Sequence, residues 1–74
     1  MEIRTIFAEN LRQHRLAAGL SQEELAHRAD MDRSYVSALE RSVYAASIDI
    51  VARLADELGV SAAELLREDG KQSV

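Results

Sequence analysis

Seventy-four residues without cysteine or proline leave room for one small domain, with no disulfide staple and no thiolate chemistry. Nine basic against thirteen acidic side chains give a formal charge of −4, which weighs mildly against a nucleic-acid partner. Twelve alanines and nine leucines among few β-branched and turn residues point to an all-α fold and away from α/β folds, barrels and disordered chains. No apolar run approaches the ~20 residues of a membrane span.

The first apolar period is Ile3, Ile6 or Phe7, Leu11, then Leu16 or Leu20, which predicts a helix over about Arg4 to Ala18 with Gly19 as a left-handed stop. Ser21 and Glu24 form a capping box that opens a second helix, with Leu25, Ala26 and Ala29 facing inward and an end near Asp30. Asp30-Met31 is a short turn, and aspartate is one of the few non-glycine residues that tolerate positive φ. Asp32 is placed to cap a third helix, about Arg33 to Arg41, with Val36 and Leu39 inward. Ser42 to Ala46 reads as a loop and Ser47 as the next N-cap. A fourth helix over about Ile48 to Leu58 buries Ile50 or Val51, Leu54 and Leu58, and ends at Gly59. Ser61 and Glu64 suggest a second capping box ahead of a short fifth helix holding Leu65 and Leu66. The chain is thus expected to be one domain over 1–74, a five-helix bundle with its core about 5–67 and a tail over 68–74, where Lys71 to Val74 frays. Met1-Glu2-Ile3-Arg4 lacks a signal-peptide pattern, which predicts a cytoplasmic location.

A connection of about three residues between the second and third helices holds them at a steep angle and leaves the third exposed along one side. Its N-terminal outer face carries Arg33, Ser34 and Ser37, with Tyr35 alongside. Arginine reads guanine through a two-pronged bond to O6 and N7, and serines either donate or accept, to a base or to a phosphate. Gln22, in the first turn of the second helix, adds an amide contact to a phosphate, where helix-start amides carry partial positive charge. Tyr35 has a second reading, as a ring packed on the second helix. The charge distribution eases the objection from net charge: residues 1–41 hold six arginines against seven acids, and residues 42–74 three basic residues against six acids. His14 and His27 are expected to be solvated rather than metal ligands. Asp49, Asp56, Glu57, Glu64, Glu68 and Asp69 read as a solubilising face, since nothing raises a carboxyl pKa for catalysis. No nucleophile–base set, phosphate loop or cofactor site stands out, so no enzyme, cofactor or small-molecule ligand is expected.

Leu11-Arg12, Arg15, Gly19-Leu20-Ser21-Gln22-Glu23-Glu24-Leu25-Ala26, Asp32-Arg33-Ser34-Tyr35-Val36-Ser37, Glu40-Arg41, Ser47-Ile48, Leu54-Ala55 and Leu58-Gly59-Val60, in this order and spacing, resemble the phage-repressor/Cro type of helix-turn-helix domain. The resemblance runs from about Phe7 to Leu66. Within that type the run Asp32 to Ser37 followed by Glu40-Arg41 looks most like the controller proteins of bacterial restriction–modification systems, dimeric regulators of their own operon. The resemblance implies base reading by Arg33, Ser34 and Ser37, a phosphate contact by Gln22, and a pair, Arg15 with Glu40, that ties the first helix to the end of the third. Ser21, Tyr35, Arg41 and Tyr44 complete the expected backbone contacts. It also implies an inverted-repeat duplex operator, a second copy of the chain and, for an activator, RNA polymerase as partners. Two departures stand out. The family often has glycine after Glu-Arg and then a basic, amide-bearing loop; here the chain reads Ser42-Val43-Tyr44-Ala45-Ala46-Ser47, so Tyr44 replaces a lost contact or the loop serves the dimer. Asp30 stands where a neutral residue is common.

One recognition helix reads too few base pairs to single out a site among ~10⁶ or more competitors, so a dimer is expected. The apolar residues Ile48, Ile50, Val51, Val60, Leu65 and Leu66 exceed what a small core absorbs and are assigned to an isologous interface. The competing reading is an antitoxin-like or protein-interaction module with secondary DNA binding, favoured by the negative charge and the apolar C-terminal third.

Overall fold

Four left-handed residues end the first four helices and set the path of the chain. The computed structural model describes residues 2–68, so the tail expected to fray from Lys71 lies outside the described residues. The elements are α1 (Ile3–Ala17), α2 (Gln22–Arg28), α3 (Arg33–Glu40), α4 (Ile48–Leu58) and α5 (Ala62–Leu66). Among the described residues there is no strand, and no helix is long and apolar enough to cross a membrane.

After α1, Leu20 N–H reaches back to Arg15 C=O at 3.1 Å while Gly19, at φ +75°, turns the chain. The same reach of five residues closes α2 (Met31 to Ala26, 2.9 Å), α3 (Val43 to Ala38, 2.9 Å) and α4 (Val60 to Ala55, 3.0 Å). The left-handed residues at those ends are Asp30 (φ 60°), Ser42 (φ 62°) and Gly59 (φ 72°). The bonds satisfy carbonyls that a helix end otherwise leaves without partners. Ser42 explains one departure from the family: the position where glycine is common is indeed left-handed, and serine occupies it at a steric cost.

Starts are less uniform. Ser21 and Glu24 form the expected reciprocal box, Glu24 N–H to Ser21 Oγ at 2.9 Å and Ser21 N–H to Glu24 Oε1 at 2.8 Å. Ser47 and Ser61 accept from Ile50 and Glu64 N–H. Two expectations need correction. Asp32 stands at the N-cap of α3, but its side chain makes no capping bond. Ser61 and Glu64 make only half a box, because the Glu64 carboxylate turns to Arg67 Nη1 at 2.6 Å.

Each helix gives the core one leucine with no exposed surface: Leu11, Leu25, Leu39, Leu54 and Leu65. Phe7, Leu20, Ala26, Ala29, Val36, Val51 and Ala55 fill the space between them. Phe7 rather than Ile6 is the buried member of the first period, and Leu16, 54% exposed, lies outside it. The packing of α5 against α1 and α4 corrects part of the expected interface. Val51 and Leu65 are core residues of the protomer, and Ile50 and Val60 are half-buried against that core. Leu65 is the fully buried residue of the five-residue α5 and closes the bundle, with Ala62 half-buried against the same core. Asn10 of α1 holds the end of α5 by donating from Nδ2 to Leu65 C=O (3.1 Å) and Arg67 C=O (2.7 Å).

The inward stripe of α1 continues past Phe7 and Leu11 to a charged residue, Arg15, one helical turn further on. Each of its three guanidinium nitrogens has a partner. Nε donates to Glu40 Oε2 at 2.6 Å, Nη2 to Glu40 Oε1 at 3.1 Å and Nη1 to Leu20 C=O at 2.8 Å. The side chains of Arg15 and Glu40 are only 9% and 3% exposed. The Glu40 hydrogen bond raises the pKa of Arg15 above its ordinary value, with burial opposing and the Glu40 charge assisting. No buried side-chain nitrogen or oxygen among the described residues lacks a partner.

Two outcomes follow from this packing. Ser42→Gly should raise stability by about 0.5–1 kcal/mol, the left-handed cost less the entropy glycine adds to the unfolded chain, and so lift the thermal midpoint by a few degrees; an unchanged or lower midpoint means Ser42 is not strained. Arg15→Met alone should cost about 3–5 kcal/mol by stranding the Glu40 carboxylate, while the double variant Arg15→Met/Glu40→Leu should regain most of the loss in urea unfolding. A double variant no more stable than the single one would contradict that account.

Candidate nucleic-acid interface

The turn Ala29–Asp32 joins α2 to α3, and the two helices pack together through Leu25, Ala26, Val36 and Leu39. With Val36, Ala38 and Leu39 buried, the opposite side of α3 faces outward. Arg33, Ser37 and Arg41 succeed one another every fourth residue and therefore line up along that side, with Ser34 beside them. Arg33, Ser34 and Arg41 are exposed and Ser37 is half-buried. Arg41 Nε donates to Ser37 Oγ at 3.3 Å. Arg33 is exposed and makes no ion pair among the described residues.

Gln22 opens α2 on the same side of the network that anchors α3. Its Nε2 donates to Glu40 Oε1 at 3.0 Å, so the Arg15–Glu40 pair becomes a three-helix junction. The family resemblance implies a phosphate contact for Gln22 and pairs Glu40 with Arg15; no local spacing joins Gln22 to Glu40, eighteen residues on. One amide hydrogen and the carbonyl oxygen of Gln22 remain for another partner.

Ser21 is more constrained than expected. Its N–H and its hydroxyl oxygen both serve the capping box, which leaves only the hydroxyl proton for an outside acceptor. Glu24 is held below its ordinary pKa chiefly by the backbone hydrogen bond from Ser21, with the charge of Arg28 assisting. Glu23 and Glu24 thus set negative charge in the first turn of α2 and offset the positive end of its dipole. Positive charge on this side of the molecule therefore comes from side chains more than from that helix start.

Tyr35 is half-buried against the core, and its ring sits 6.2 Å from that of Tyr44 at an interplanar angle of 35°. Tyr44 is 55% exposed, so the 42–47 loop leans on α3 through an aromatic contact in the place of the family's basic side chains. Asp30 and Asp32 are exposed in the turn below α3.

Besides Tyr44, the exposed large apolar residues include Ile3, Val43, Ile48 and Leu66. Ile48 is 86% exposed, extreme for a residue of its size. A shallow cleft of about 160 Å³ is lined by Ile3, Phe7, Ala45, Ala46, Val51 and Leu66, among others.

The helix-turn-helix family profile matches residues 11–65, which takes in the packed helices from Leu11 to Leu65. A hypothetical transcription factor of Neisseria meningitidis is 42% identical over 65 residues, and the match covers 88% of this chain and 61% of that protein. Control protein C.BamHI of Bacillus amyloliquefaciens is 38% identical over 65 residues, covering 86% of this chain and 80% of its own. The restriction–modification controller protein C.AhdI of Aeromonas hydrophila superposes with a TM-score of 0.81 at 40% identity, covering 84% of this chain and 94% of that one. The chain belongs to the helix-turn-helix family of DNA-binding transcription regulators and is related to the controller proteins of restriction–modification systems.

Proposed function

We propose that this protein binds an inverted-repeat operator as a homodimer and controls a restriction–modification operon. The observation that carries the reading is the exposed polar line on α3, Arg33, Ser34, Ser37 and Arg41, held out from the body by a buried network. The helix lies in the major groove. Arg33 and Ser34, at its N-terminal end, meet base edges, and Ser37 follows one turn later. Gln22, with its spare amide hydrogen, and the hydroxyl proton of Ser21 meet the backbone. Arg41 and Tyr44 extend the backbone contacts along the same edge, and Tyr35 supports the helix from below. Where the protein activates, RNA polymerase is its further partner.

Dimerisation uses the apolar face that the protomer leaves uncovered. Ile3 and Leu66 line the cleft, and Val43 and Ile48, exposed on either side of its lining residues Ala45 and Ala46 in the chain, extend the face. An isologous pairing through it repeats the polar line two-fold, with half-sites about 34 Å apart. Loss of charge from the 42–47 loop suits this second use of the segment.

Selection of bound sequences from a random duplex pool should recover an inverted repeat. Arg33→Ala should lower affinity for that site by ~1–3 kcal/mol and relax one base preference, whereas equal loss on cognate and random duplex would make Arg33 a phosphate contact. Sedimentation at micromolar concentration should give a dimer for the parent chain and a monomer for Ile48→Glu. A parent chain that stays monomeric, or a variant that stays dimeric, rules out this face as the interface.

A further inference from the structure

The hydrogen bond from Arg41 to Ser37 has a consequence for what the polar line can recognise. A guanidinium has donors and no acceptor, so the bond runs one way only, from Arg41 Nε to Ser37 Oγ at 3.3 Å. It occupies a lone pair of a hydroxyl that would otherwise donate or accept with equal ease. The proton of Ser37 is then directed away from Arg41. The nearby positive charge also polarises the O–H and strengthens it as a donor. Arg33 at the other end of the line is itself donor-only.

We infer that Arg41 is a positioning residue that occupies one of the two lone pairs of Ser37 and biases its hydroxyl towards donating, so that Ser37 favours a base edge presenting an acceptor. The inference rests on the reading of α3 as the base-reading helix. In the major groove the acceptors are guanine N7 and O6, adenine N7 and thymine O4; the amino groups of cytosine and adenine are donors and are disfavoured opposite Ser37. A serine free of Arg41 would tolerate either kind of edge. The same arginine keeps its two terminal nitrogens for a phosphate, so its effect on affinity and its effect on preference are separate quantities.

The test compares the full chain with Ser37→Ala and Arg41→Met by sequencing duplexes bound from a random pool at fixed salt. Both side chains stand at or near the surface on the outer side of α3, and circular dichroism checks that each variant is folded. Ser37→Ala identifies the base pair whose preference depends on that hydroxyl. Arg41→Met should weaken the preference at that same base pair by about three- to tenfold, the weight of one hydrogen bond, and leave the Arg33-dependent preference intact. A uniform loss of affinity in Arg41→Met, with the Ser37-dependent preference unchanged, overturns the role of Arg41 while leaving base reading by Ser37 in place. A Ser37→Ala pool identical to the parent's removes Ser37 as a base reader and the inference with it.

Discussion

The fork of Arg15 onto Glu40 is the constraint on which the rest of the arrangement depends. An arginine at the fourth position of an inward stripe would be ruinous alone, because a buried guanidinium without partners loses its hydration for nothing. Here the Arg15 nitrogens bond to Glu40 and to the carbonyl of Leu20, and Glu40 also accepts from Gln22. The result ties α1, the start of α2 and the end of α3 together through directional bonds. Apolar packing tolerates sliding and rotation, but a two-pronged ion pair does not. An apolar replacement could match it in stability. What the charged junction adds is a fixed angle for α3, which sets where Arg33, Ser34 and Ser37 stand relative to Gln22.

The helix ends serve the same purpose. Left-handed residues at 19, 30, 42 and 59 turn all four connections, three of which are no longer than four residues. Two are glycines, for which the conformation costs little, and two are not. Asp30 and Ser42 bracket α3 on either side, so the strain in the chain is concentrated around the element that bears the polar line. The negative charge of Asp30 and of the capping glutamate in α2 works against phosphate, which places more of the attraction on arginines and hydroxyls.

Much of this is legible in the residues. Periodicity locates all five helices, because the apolar spacing and the serine caps agree with one another. Asp30 could be read as left-handed from its position before a new helix start; Ser42 could not, except through the glycine common at that place in the family. The interface set is where reading from sequence falls short. Aliphatic residues at Val51, Leu65 and Ile48 look alike in a string, and only packing of α5 against α1 and α4 decides that the first two close the core while Ile48 is left outside. Side-chain junctions are similarly hidden. Gln22 meets Glu40 across eighteen residues, Asn10 meets Leu65 across fifty-five, and Tyr35 meets Tyr44 through a bend in the loop. No local spacing encodes such pairs.

In the proposed complex duplex DNA lies against one side of a slightly acidic domain, at the N-terminal end of α2 and along α3, and a second copy covers the apolar face near α4 and α5. Titration of the isotopically labelled protein with a selected duplex, followed by the shifts of its backbone amides, tests that division most directly. The largest changes should fall at Ser21 to Glu24 and Arg33 to Arg41, with little change at Asp49 to Leu66. Changes concentrated on α4 and α5, with α3 silent, would contradict it.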